Sequence, residues 1–181
     1  MRMDKLTNQL QNALADAQSL AVGRDNQYIE PAHVLKALLE QQGGSSRPLL
    51  QKAGANLSAL IAATDAAVNQ LPTVNGASGD VHISQDCSRL LNRADKQAQE
   101  RKDAYLSSEL VLLAMLDSGS PLATTLTQAG VTKATLDQAI NDVRGGEGVN
   151  SAEAEESRQA LQKYTIDLTE RAESGKLDPV I

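Results

Sequence analysis

The stretch IEPAHVLKALLE at 29–40 returns 77 positions later as LSSELVLLAMLD at 106–117. Self-similarity at a fixed spacing marks a fold built from copies of one unit. Tyr28 falls on Tyr105, Ile29 on Leu106, Val34 on Val111, Leu35 on Leu112, Ala37 on Ala114 and Leu39 on Leu116. A second echo follows each copy, LQKAG at 50–54 against LTQAG at 126–130, with an offset of 76. The one-residue slip falls between the two blocks, where a loop tolerates a change of length. Chance similarity between two Leu- and Ala-rich helices does not explain why the tyrosines and the Ala-Gly stops align as well.

The repeated unit reads as helical. Leu6, Leu10, Ala13, Leu14, Ala17, Leu20 and Ala21 recur at three and four, one face of a helix that stops at Gly23 as its C′ residue. Pro31 suits a first helical position and opens a helix to about Gln42. Pro48 opens a short helix that ends at Gly54. Asn56 caps a fourth, with Leu57, Leu60, Ile61, Val68 and Leu71 inward and Pro72 as its stop. The second copy has the same four: one capped by Ser84, one by Ser107, a short one from Ser120-Pro121 to Gly130, and one capped by Thr132. No stretch alternates apolar and polar residues with β-branched content, as a strand would. The expected fold is all-α: two pseudo-symmetric four-helix repeats, 1–72 and 80–145, about eight helices in a double-repeat domain over 1–145.

The core must be aliphatic. Hydrophobic residues make up 41% of the 181, but there is no Trp or Phe and there are only three Tyr. The net charge is −6, and with no basic run the chain is a poor ligand for nucleic acid, which demands clustered Lys and Arg. A single cysteine, Cys87, cannot make an intrachain disulfide and fits a reducing compartment. The start MRMDKLTNQL lacks the apolar run of a signal peptide, and nothing approaches the ~20 apolar residues of a membrane span. These features predict a cytoplasmic chain with no nucleic-acid or membrane partner.

GGEGVNSAEAE at 145–155 has one sizeable apolar side chain, Val149. Its composition predicts a flexible linker over 146–156. Beyond it, Leu161, Tyr164, Leu168 and Ala172 keep helical spacing, and the closing KLDPVI reads as the opening of a further domain, so 157–181 is expected to begin one.

Motifs for chemistry are scarce. There is no phosphate-binding glycine loop, no Gly-x-Gly-x-x-Gly and no nucleophile elbow. His82, Asp86 and Cys87 match no metal-ligand spacing, and a loop end is the better reading. His33, third in its helix, is placed to cap the first turn. Asp103 and Glu109 lie near a helix start, where acids favour the positive end of the dipole. No metal site and no catalytic apparatus are expected. The repeats differ most where His33 and Lys36 become Leu110 and Leu113. The first copy reads as polar on that face. The second reads apolar all round from Leu110 to Leu116, which fits either a central helix or an exposed apolar groove.

The start of the chain through the IEPAHVLKALLE…GG…RPLL pattern, the RKDAYLSSEL segment and the ending YTIDLTERAESGKLDPVI closely resemble the ClpB family of bacterial disaggregase chaperones, more than its ClpA and ClpC relatives, over all of 1–181. The resemblance implies a Clp N-terminal double-repeat domain that captures unfolded or aggregated polypeptide. It also implies a linker to the first AAA+ ATPase module of a homohexameric ring, and a cooperating chaperone system. The segment itself would need no cofactor and hydrolyse nothing. The full-length protein would use ATP and Mg, with Val180 and Ile181 at the adenine. The family's client-binding positions match Thr7, Asp103 and Glu109, expected on the surface, and Leu91 and Leu110, expected with Leu113 to line an apolar groove. Arg93 stands where some relatives have an apolar residue, which makes that groove narrower or more polar on one side. The alternative is the adaptor-binding domain of a ClpA- or ClpC-type unfoldase. A free-standing helical binding module is disfavoured by the KLDPVI ending.

Overall fold

The computed structural model describes residues 3–75, 81–117 and 119–157. Among them a short 3-10 turn, Met3–Lys5, precedes eight α-helices: α1 Asn8–Gly23, α2 Pro31–Glu40, α3 Ser46–Lys52, α4 Leu57–Asn69, α5 Gln85–Glu100, α6 Ser108–Ala114, α7 Ala123–Gln128 and α8 Lys133–Arg144. The duplication is thus realised as two sets of four.

The caps repeat with the sequence. Thr7 caps α1 by accepting from Leu10 N, and Ser84, at the equivalent position, caps α5 by accepting from Cys87 N. Both helices end in the same motif. Asp25 and Lys102 take left-handed φ values of 56° and 62°. The next amides then reach back five residues, Asn26 N to Ala21 O and Asp103 N to Ala98 O, which satisfies orphan carbonyls of the last turn. The left-handed residue is therefore Asp25, and Gly23 is still helical, one correction to the expected stop. His33 does cap α2: its Nδ1 accepts from Glu30 N at 2.9 Å.

Two short parallel pairings give the pseudo-two-fold away. β1 (Tyr28–Ile29) pairs with β2 (His82–Ile83), a contact with no strand signal in the sequence. Leu6 bridges Leu106 in parallel. Advancing Leu6 by one repeat gives Ile83, and taking Leu106 back by one gives Ile29, so each pairing is the image of the other. Their hydrogen bonds match too: Thr7 N donates to Leu106 O and Ser84 N to Ile29 O. The helices obey the same rule. α1 packs along α2 and α5 along α6, while α3 lies against α8 and α4 against α7, so the halves interlock. At the axis the two Ala-Gly stops meet. A Cβ on Gly130 would lie 2.8 Å from Gly54 O, and Asn56 N donates to Ala129 O.

α2 and α6 are the central pair. Every residue of α6 is buried, and in α2 only Lys36 and Glu40 are not. The polar face expected of α2 is thus not a surface face: His33 is fully buried, with Nε2 2.8 Å from Asn26 Oδ1. The core is aliphatic, its largest wholly buried side chains being leucines and Met115.

Candidate functional site

Thr7, Asp103 and Glu109 come from three elements and converge. The Schellman turn after α5 places Asp103, the first turn of α6 carries Glu109, and Thr7 caps α1 beside Leu106. Arg144, the last residue of α8, ties two of them together. Its Nη1 and Nη2 donate to the two carboxylate oxygens of Asp103 at 3.1 and 2.9 Å, and its Nε donates to Glu109 at 2.8 Å. This is the forked geometry in which a guanidinium outperforms an ammonium. Burial opposes the charged guanidinium, but Glu109 and Asp103 outweigh it and hold the Arg144 pKa above its ordinary value.

Glu155 completes the cluster from the far side. Its carboxylate accepts from Ser108 N at 2.6 Å, from the Ser108 hydroxyl and from the Thr7 hydroxyl, both at 3.0 Å. It thereby meets an N–H that α6 leaves without an intrahelical partner. Burial, with the charge of Glu109 behind it, pushes the Glu155 carboxyl up, and the hydrogen bonds from Ser108 and Thr7 pull only part of the way back.

These three positions are not a polar surface. Thr7 is fully buried, Glu109 is 2% exposed, and the Asp103 side chain is covered. What covers them is the segment expected to be a flexible linker. Val149 is buried, its amide donates to Asp103 Oδ1, and its carbonyl accepts from Ala104 N. Asn8 N donates to Ala152 O at 2.8 Å. The stretch 147–157 is a strap closed over the Leu6–Leu106 pair. Composition missed it because the fastening is by carboxylate and backbone bonds, with a single apolar anchor. Sequence reasoning passes over Arg144 and Glu155, and counts Val149 only as the one sizeable apolar side chain of the stretch. A buried-charge partner for Asp103 and Glu109 was the missing signal, and nothing local in the sequence points to Arg144.

The apolar groove is corrected as well. Leu91 and Leu110 are core, because α6 is sandwiched between α5 and α8. Leu113, 3% exposed, forms the floor of an open groove of about 350 Å3 between α5, α6 and α8, rimmed by Gln97, Arg101, Lys133 and Asp137. A larger groove, about 750 Å3, runs beside α1 and the α2–α3 loop and is lined by Gln9, Asp16, Glu40, Gln42 and Glu156 of the strap. Burial, aided by the charge of Glu30, pushes the Cys87 thiol up to about 12, the reverse of a reactive or metal-ready thiol. Val180, Ile181 and the helix expected after 157 lie outside the described residues.

The family model described as the Clp repeat (R) N-terminal domain matches residues 5–129. The chain belongs to the Clp N-terminal repeat family. Over its whole length it is 57% identical to a ClpB chaperone of Pseudomonas putida and 50% identical to one of Vibrio cholerae, and it spans about 21% of the length of each. The matched parts are the N-terminal regions of those ClpB chaperones. The Hsp104 N-terminal domain of Candida albicans superposes with a TM-score of 0.74 at 22% identity, covering 83% of this chain and 99% of that one. A ClpV N-domain in complex with a VipB peptide superposes at 0.63 with 23% identity, covering 76% and 86%. These structures share the Clp N-domain fold. No helix among the described residues is long and apolar enough to cross a membrane.

Proposed function

We propose that this Clp N-terminal domain is the client-capture unit of a ClpB-type disaggregase, binding unfolded or aggregated polypeptide briefly and passing it to an ATPase ring built by the rest of the protein. The observation that carries this reading is the match along the whole chain to ClpB chaperones. The peptide-bound ClpV N-domain of the same fold is in keeping with it. The client would lie in the groove over Leu113. Leu113 is already almost wholly covered, so the client's gain would come from the polar rim of Gln97, Arg101, Lys133 and Asp137, where an exposed ion pair is worth ~0.2–1 kcal/mol, and association costs must be subtracted. The result is weak binding, as a hand-over step requires. Thr7, Asp103 and Glu109 then act at one remove: they hold the strap through which the domain continues into the following chain. ATP and Mg would be handled beyond the strap, with Val180 and Ile181 as the resembling adenine contacts.

The test is an NMR titration of the 181-residue chain with a permanently unfolded model protein, reduced and carboxymethylated α-lactalbumin. Shifts at Gln97, Leu113 and Ala134 with weak affinity are expected. Shifts confined to other faces, or none at millimolar concentration, would refute the placement.

A further inference from the structure

α1 has a second stripe beside the one that it packs into the core. Gln9, Asn12, Asp16, Leu20 and Gly23 recur along it at three and four, and two open hollows follow them. The first, of about 750 Å3, is lined by Gln9, Asp16, Glu40 and Glu156 among others. The second, of about 500 Å3, is lined by Asp16, Leu20, Arg24 and Glu40 among others. Sharing Asp16 and Glu40, they form one groove along α1. From Gln9 to Gly23 the helix runs ~21 Å at ~1.5 Å per residue, the length of about six extended residues.

Gln9 is the informative side chain. It is only 6% exposed, and polar groups so buried normally find partners. Its Oε1 does: Ser45 N and Ser45 Oγ donate to it at 3.3 and 3.1 Å. Ser45 N can only donate, which decides the end of the amide that faces it. The other end is therefore Nε2, with two N–H donors. Among the described residues nothing accepts from Nε2, and the atom is not sealed off, so it opens on the groove that Gln9 lines. Around it stand carboxylates. Asp16 and Glu156 have no ion pair among the described residues, and Glu40 has one, to Lys36 at 2.6 Å.

A held donor among carboxylates selects its ligand. An anion could accept from Nε2 but is repelled by the three acids. A polyamine would meet the acids but has nothing with which to accept from Nε2. A peptide carbonyl between lysine or arginine side chains satisfies both. We propose that this groove binds an extended, basic segment of another polypeptide. A main-chain carbonyl takes Gln9 Nε2, and cationic side chains meet Asp16, Glu40 and Glu156. Alternate side chains of an extended chain face one way, so the basic residues fall at every second position. Beyond them an apolar residue lies against Leu20, and Arg24 ends the acidic stretch. The site is separate from the groove over Leu113 and does not depend on it.

The probe is a blocked heptapeptide of alternating alanine and lysine, AKAKAKA, titrated into the 181-residue chain and followed by NMR. Shifts are expected at Asn12, Asp16 and Glu40, and in the side-chain amide signals of Gln9. The affinity should fall about three- to tenfold, the worth of one or two exposed ion pairs, with the glutamine peptide AQAQAQA. It should fall similarly for the lysine peptide on the Asp16→Asn, Glu156→Gln variant. Both substitutions keep the side chain's shape, so the fold should persist; Asp16→Asn alone, at an exposed position, gives a smaller fall of the same kind if it does not. Equal affinity of the two peptides, equal affinity of variant and wild type, or no shift up to millimolar peptide overturns the proposal. So do shifts at exposed acids across the whole domain with the Gln9 side-chain amide unmoved, which mean unselective attraction to an acidic chain. So does a nuclear Overhauser contact, in the free chain, from that amide to residues after Ser157, which would make the chain its own occupant.

Discussion

Replacing Arg144 with alanine should be among the most damaging single changes in the domain. Its side chain is 7% exposed and is the shared partner of two covered carboxylates, Asp103 and Glu109, with Glu155 on the far side of Glu109. Truncation removes three charge-assisted hydrogen bonds and leaves those carboxylates buried without compensation. Breaking a buried pair in this way typically costs ~3–5 kcal/mol. For a domain of this size each kcal/mol shifts Tm by about 2–4 °C, so a fall of roughly 6–20 °C is expected. Urea unfolding should show a lower midpoint at unchanged slope, the mark of lost stability without a change in the surface exposed. Arg144→Lys keeps the charge but loses the fork, and should fall between the two. In the double variant Asp103→Asn, Arg144→Met the losses should be well short of additive, because the two residues share one interaction. An Arg144→Ala protein within ~1 kcal/mol of wild type, or an Arg144→Lys protein as stable as wild type, would refute the reasoning.

Four further outcomes are expected. Leu110→Ser should unfold or melt the domain, costing at least the ~2–5 kcal/mol of a large-to-small core change, since Leu110 is fully buried; a folded variant with full stability in a thermal melt would contradict its place in the core. His33 is held neutral by burial, then by Arg24, with its pKa lowered to about 4, so stability should drop by up to ~3 kcal/mol as pH falls from 6.5 towards 4 and level off below; urea titrations across that range should show the drop, and His33→Leu should abolish it. The Glu155 carboxyl binds its proton more tightly folded than unfolded, so its contribution to stability grows as pH falls from neutrality through its raised pKa and is complete below the ordinary glutamate value; Glu155→Gln should flatten that rise in the same titrations. Gly130→Ala should destabilise far more than Gly145→Ala in thermal melts, because both have positive φ but only the first would drive a Cβ to 2.8 Å from a backbone oxygen.

Much of the fold was legible because the duplication repeats local signals: Thr7 and Ser84 as caps, the Leu and Ala stripes, the Ala-Gly stops. Each acts within a few residues, where sequence and structure are in direct register. The site was less legible. Apolarity all round α6 fitted both a buried helix and an open groove, and only the placement of α5 and α8 on either side decides for burial. The polar contrast at His33 suggested a surface because a histidine buried on Asn26 cannot be told from a solvated one by position. The strap was read as a linker because apolar content was weighed and buried carboxylate bonds could not be. Glu155 and Thr7 are 148 positions apart, and nothing in either neighbourhood announces the other.

The most direct test of the account is native-state amide exchange at Asn8, Ala104, Ser108 and Val149, whose N–H groups donate to Ala152 O, Val149 O, Glu155 Oε1 and Asp103 Oδ1. If the strap is part of the domain, all four amides are protected in the wild-type chain, and Glu155→Ala releases Asn8 and Ser108 while amides inside α2 and α5 stay slow. Exchange of the four at the rates of an unstructured peptide, with the helices of the core still protected, would contradict a fastened strap and restore the flexible linker.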